Sequence, residues 1–214
     1  MLYFSYLGFI FQTAGSILLV FGYLPQIVKL IKTKIPNGIS LLFWTMIATG
    51  CTAILINMII QGTSLYIEIT QAINATLAWT TLILVIYYRK LNDMTIKVSI
   101  NVIFVSMIIA IYLIYILMMS DIKTFGNALQ LFGTACLLTA YLPQILHLYK
   151  VKDATGISRW LFITIGTGLL LITFNMFMTG TSIWIILTEY VNIALISTQF
   201  LMTVYYQRKN KKQA

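Results

Sequence analysis

Apolar residues run along this chain in long blocks, and polar residues gather in the short stretches between them. The blocks lie at roughly 4–28, 40–61, 65–88, 98–119, 126–148, 160–179 and 183–206. Each is close to the ~20 residues needed to cross ~30 Å of hydrocarbon, so the pattern predicts seven transmembrane helices. The connections supply turn residues, as in Lys34-Ile35-Pro36-Asn37-Gly38 and Thr179-Gly180-Thr181-Ser182, and leave no room for a soluble domain.

Composition sharpens this. Hydrophobic residues make up 60% of the chain and charged residues 9%, against about 25% charged in a soluble domain. The net charge of +9 raises the question of nucleic acid, which basic clusters neutralise. Position along the chain excludes it: Lys29, Lys32, Lys34, Arg89, Lys90, Lys97, Lys150, Lys152, Arg159, Arg208, Lys209, Lys211 and Lys212 all flank spans on one side, and only Lys123 lies on the other. Basic residues favour the cytoplasmic side, which predicts an external N-terminus and a cytoplasmic C-terminus; a multi-pass location in the plasma or inner membrane is a separate expectation. Tyr66, Tyr87, Tyr88, Trp184, Tyr205 and Tyr206 sit at span ends and are expected to anchor at the headgroup level, as are Trp44 and Trp160. The first span lacks a signal peptide's basic start and cleavage site and is read as retained. Cys51 and Cys136, one in each half among apolar neighbours, are expected to be free thiols.

Sliding the chain against itself exposes a repeat. A single offset of 118 superposes Gln12 on Gln130, Gly15 on Gly133, Tyr23-Leu24-Pro25-Gln26 on Tyr141-Leu142-Pro143-Gln144, and Gly38-Ile39-Ser40 on Gly156-Ile157-Ser158. The register continues through Gly50 and Gly168, Asn57 and Asn175, Asn74 and Asn192, and Tyr87-Tyr88 and Tyr205-Tyr206. Each copy holds three spans, so the unmatched fourth span is needed to restore the orientation of the second copy. The expected fold is therefore all-α and integral to the membrane, with two parallel three-helix bundles joined by a linker helix in a 3+1+3 layout. Its parts are a first repeat at 1–90, an inversion linker at 91–124, a second repeat at 125–207 and a basic cytoplasmic tail at 208–214.

These residues resemble the two PQ-loop motifs of the SWEET sugar carriers, the bacterial SemiSWEETs and the cystinosin-like transporters. The resemblance covers nearly the whole chain and rests on both Pro-Gln pairs, both Gly-Ile-Ser tails and the 3+1+3 layout. It implies a carrier that moves a small polar solute by alternating access through a pocket lined by both halves. A sugar is the first expectation and an amino acid or other amine, carried with protons, the alternative.

The candidate residues follow from depth and duplication. Pro25 and Pro143 remove a helix N–H and crowd the carbonyls of Phe21 and Thr139, so each, with Gln26 or Gln144, is a candidate hinge or gate. Asn74 and Asn192 lie about ten residues inside their spans, near mid-bilayer at 1.5 Å per residue, and offer donors and an acceptor to a polar solute. Resemblance to SWEETs, which carry Asn in the corresponding helices, supports the same role. Glu189 lies three residues before Asn192 on the same face, and its repeat equivalent is Gln71. A carboxylate at that depth is a functional candidate, either taking a coupling proton or pairing with a substrate amine. Asn57 and Asn175 complete the candidate solute-binding set, divided between pocket rim and helix packing. Glu68 and His147 read as interfacial residues.

No metal-ligand cluster, phosphate-binding loop or nucleophile elbow stands out, so neither an enzyme nor a cofactor or metal is expected. The expected partners are the solute, the lipid bilayer and, compatibly, further copies of the chain. A seven-helix ligand receptor is the rival from another class. A retinal protein is excluded by the lack of a lysine between Ile183 and Tyr206.

Overall fold

The computed structural model describes residues 2–91, 121–181 and 183–213, all helix or short turn. The fourth predicted span and most of the expected linker lie outside the described residues. The helices are α1 (Leu2–Phe21), α2 (Leu24–Thr33), α3 (Leu41–Gln61), α4 (Leu65–Leu91), α5 (Ile122–Val151), α6 (Arg159–Met178) and α7 (Ile183–Gln213). Five stretches among the described residues are long and apolar enough to cross a membrane: Leu7–Thr33, taking α1 and α2 as one column, then α3, α4, α5 and α6. The helix α7 is not counted among them, since side chains in its first turn lie outside the described residues. It continues to Gln213, so the basic residues expected as a separate tail form its last turns.

The two Pro-Gln segments differ locally. In the first half α1 ends at Phe21 and α2 starts at Leu24, which puts Pro25 in the first turn of a new helix. There its missing N–H costs no intrahelical bond. In the second half α5 runs unbroken through Pro143. The helix is therefore interrupted just before the first proline and continuous through the second.

Downstream the halves repeat each other closely. Lys34 and Lys152 both end their helices in the left-handed region, with φ 56° and 54°, and their N–H groups return to the carbonyls of Leu30 and Leu148. Ser40 starts α3 by accepting the Phe43 N–H. Asp121 does the same for α5, accepting the Thr124 N–H at 2.6 Å, and that bond holds its carboxyl below the usual range.

The first helix of each half packs most extensively on the second helix of the other half, α1 on α6 and α5 on α3. Within a half, α4 joins α1 to α3 and α7 joins α5 to α6. The described columns close into a ring in the order α1, α4, α3, α5, α7, α6. Glycine permits the two cross-half contacts. A Cβ on Gly15 would lie 2.8 Å from the Gly168 carbonyl, and one on Gly133 would lie 2.8 Å from the Gly50 carbonyl. These are the four glycines that the repeat register superposes.

Each contact carries a carboxamide pair as well. Asn57 Nδ2 donates to Gln130 Oε1 and Asn175 Nδ2 donates to Gln12 Oε1, both at 2.9 Å. Once hydrophobic transfer has been spent on entering lipid, close backbone approach and interhelical hydrogen bonds are what hold such helices together.

Candidate functional site

Both Gly-Ile-Ser turns and both Pro-Gln segments meet at the basic end of the ring, and each glutamine reaches across to the turn of the other half. Gln26 Nε2 donates to the Gly156 carbonyl at 2.9 Å, while its Oε1 accepts the Ser158 N–H at 2.7 Å. Gln144 Nε2 donates to the Gly38 carbonyl at 2.7 Å, and its Oε1 accepts the Ser40 N–H at 2.8 Å. A primary amide is the side chain that can serve a carbonyl and an N–H at once. Both glutamines are buried, so these bonds satisfy turn groups that no water reaches.

The turns also touch directly. The Gly156 N–H donates to the Asn37 carbonyl at 3.1 Å, and Asn37 Nδ2 donates to Asp153 at 3.1 Å. Gly38 has φ 76°, and a Cβ there would lie 2.1 Å from the Asp153 carbonyl, which excludes any other residue. Long side chains tie the turn carbonyls to neighbouring helices. Arg89 donates to the Ile39 carbonyl. Its repeat equivalent, Gln207, donates to the Ile157 carbonyl at 2.7 Å, and Lys29 Nζ donates to that carbonyl at 2.6 Å.

Above this closed end lies a central cavity of about 210 Å³, lined by all six columns. Its lining obeys the repeat. Leu19 and Leu137, Tyr23 and Tyr141, Phe43 and Leu161, Trp44 and Phe162, Ile47 and Ile165, Cys51 and Leu169, Gln71 and Glu189, and Asn74 and Asn192 all face it, each pair 118 residues apart. Only Ile54 and Ile196 lack their counterparts in the lining.

Chemistry divides the cavity by height. Nearer the basic end the rings of Tyr23, Phe43, Trp44, Tyr141 and Phe162 form its floor, with Trp44 5.8 Å from Tyr23 and 5.2 Å from Phe43 between centroids. Nearer the middle stand the polar pairs of α4 and α7. Asn192 Nδ2 donates to Glu189 at 3.2 Å. Gln71 Nε2 donates to the Cys51 carbonyl at 3.0 Å, and Asn74 Nδ2 donates to Gln71 at 3.5 Å. The Asn74 Oδ1 is buried with no partner, an acceptor left for a donor that the protein does not supply. Among the described residues Glu189 is the only charged one in the lining.

A second hollow, of about 480 Å³, opens between α1 and α4 toward the end away from the Pro-Gln segments. Leu19, Gln71 and Asn74 line both it and the central cavity. Among the described residues the cavity is closed at the basic end by aromatic rings and glutamine straps, and the hollow past Asn74 lies toward the opposite end.

The PQ loop repeat matches residues 7–67 and again 125–185, displaced by 118 residues at both limits. The chain belongs to the PQ-loop repeat family. The fold is similar to that of a solved eukaryotic SWEET transporter, with a TM-score of 0.58 over 96% of this chain and 99% of that one, at 13% identity. Comparison with curated proteins gives no match. The chain is thus a multi-pass, all-helical membrane protein of the PQ-loop repeat family with a SWEET-like fold.

The positions expected from sequence divide into groups. Asn74, Asn192, Gln71 and Glu189 line one cavity. Asn57 and Asn175 do not; they pair with Gln130 and Gln12 where the halves pack. Gln26 and Gln144 form the straps, with Pro25 and Pro143 beside them. Trp44 is corrected: it is 2% exposed and lies in the cavity floor, because α3 turns that face inward, whereas Trp160 is 66% exposed, as an anchor requires. The tyrosine pairs are corrected by half. Tyr87 and Tyr205 face outward while Tyr88 and Tyr206 are buried, since adjacent helix positions are about 100° apart. The side chain of Trp184 lies outside the described residues. Cys51 and Cys136 are free thiols. Of the floor aromatics only Trp44 was singled out from sequence, and as an anchor; Tyr23 and Tyr141 stood in the repeat register, and Phe43 and Phe162 carried no signal.

Proposed function

We propose that this PQ-loop protein carries one small polar solute, a sugar, across the membrane by alternating access. The observation that carries this reading is a cavity walled by equivalent residues of both halves, with paired carboxamides at one level and aromatic rings below. Carboxamides can donate to and accept from hydroxyl groups, and flat rings offer apolar faces against which a sugar ring can lie. The volume of about 210 Å³ falls below the ~300–1,000 Å³ of pockets for drug-sized ligands, which suits a monosaccharide over a disaccharide.

The fuller architecture belongs to the same proposal. It is a 3+1+3 layout with the N-terminus external and the basic end facing the cytoplasm. In that frame the described state opens outward. Transport then requires the glutamine straps to part while the hollow between α1 and α4 closes, with the chain break at Pro25 as hinge. An impermeant thiol reagent should label Asp121→Cys from outside in intact cells and Lys211→Cys only after permeabilisation.

One observation favours a second reading. Glu189 is a lone carboxylate above an aromatic floor, and such a combination attracts an ammonium group, so an amine or amino acid carried with protons is the alternative. Uptake into proteoliposomes decides between them. Labelled glucose, lysine and cystine, each tried with and without a pH gradient, should show glucose entering independently of the gradient. Entry of lysine alone, abolished by Glu189→Gln, would select the amine reading, and no entry of any solute would favour a ligand receptor.

A further inference from the structure

The break between α1 and α2 leaves a third concavity, on the outer surface of the ring and sharing no residue with the central cavity. It measures about 700 Å³ and lies between that break and the first turns of α6. Pro25, Val28, Lys29 and Lys32 recur at spacings of three and four, so they form one face of α2. Phe21 and Leu24 extend that face toward α1, and Trp160 and Thr164 form the opposite wall. Phe21, Leu24, Val28 and Trp160 are all exposed.

Charge collects at one rim. Lys29 and Lys32 stand at the basic end of the groove and no acidic residue lines it. Lys29 is partly committed through its bond to the Ile157 carbonyl, whereas Lys32 is exposed. The second half offers no twin: α5 is unbroken, His147 replaces Lys29 and Leu42 replaces Trp160.

We propose that this groove binds a single anionic phospholipid, its phosphate held by Lys29 and Lys32 and one acyl chain lying along Phe21, Leu24, Val28 and Trp160. Both halves of the surface are needed for the assignment. A zwitterionic lipid would cover the apolar wall and bring no net negative charge to the exposed Lys32. A free phosphate would answer the lysines and leave the apolar wall bare. Basic residues beside a membrane draw anionic lipids to that leaflet, and here the helix break adds a recess that a continuous surface lacks.

Trp160 supplies the test. The full chain with Trp44, Trp79 and Trp184 changed to Phe is reconstituted in phosphatidylcholine vesicles containing increasing amounts of brominated phosphatidylglycerol or brominated phosphatidylcholine, and quenching of Trp160 is followed. Half-quenching is expected at a several-fold lower fraction of the anionic lipid. Lys32→Gln should reduce that preference about fivefold, the effect of one lysine at a charged membrane surface. The double change Lys29→Arg with Lys32→Arg should preserve it, which separates loss of charge from loss of fold. Equal quenching by the two lipids overturns the proposal, as does a preference that survives Lys29→Gln with Lys32→Gln. Loss of the preference on adding inorganic phosphate, but not chloride of equal ionic strength, would also overturn it, since the groove would then hold a headgroup anion without its lipid.

Discussion

Asn74 carries the sharpest single-residue consequence. Its amide is engaged with Gln71 at 3.5 Å, but its Oδ1 is buried without a partner, and a missing hydrogen bond of this kind is worth about 0.5–1.5 kcal/mol when a donor arrives. Asn74→Ala is expected to raise the KM for uptake about tenfold or less while the protein folds normally, as checked by thermal melting in detergent. An unchanged KM would remove Asn74 from the solute path. The position of this residue was legible, because its depth in the span and its duplication at Asn192 both come from the sequence. So was the company of Gln71 and Glu189, each three residues earlier on a helix. The aromatic floor was harder to see. A tryptophan at the end of an apolar block satisfies the rule for interfacial anchors, and whether Trp44 faces lipid or solute depends on how α3 is rotated, which a uniformly apolar helix does not encode in its own pattern.

At the scale of elements, glycine decides where helices may touch. A Cβ on Gly168 would lie 2.9 Å from the Gly15 carbonyl, whereas one on Gly166, two residues away, meets nothing closer than 3.6 Å. Gly166→Ala should therefore gain up to about 1 kcal/mol from helix propensity, and Gly168→Leu should lose about 1–3 kcal/mol by forcing α1 from α6. Melting temperatures of the two variants, moving in opposite directions, would check this. The prolines invite a similar contrast. Pro25 opens a new helix and Pro143 interrupts an unbroken one, so Pro25→Ala should fuse α1 to α2 and slow uptake more than Pro143→Ala does. Equal slowing by both, measured in the same vesicles, would argue against a hinge confined to the first half. The repeat register superposed Gln12 on Gln130 and Asn57 on Asn175, but it could not reveal that each pairs across the register. That follows from which helix neighbours which, a property of the assembled ring.

At the scale of the molecule, the two halves form an interlocked pair. Each supplies the helix against which the other's first helix lies, each glutamine closes the other's turn, and each contributes one member to every pair in the cavity lining. The described columns alone already form a closed ring. Two separately encoded polypeptides, residues 1–91 and 121–214, should therefore find one another in a bilayer and co-purify when made in the same cell, while either alone should be degraded. Independent survival of one fragment as a monomer would contradict the exchange. The same logic points backward in time: a gene for a half-length chain could have worked only by self-pairing, and duplication freed the copies to diverge, as Gln71 and Glu189 have done.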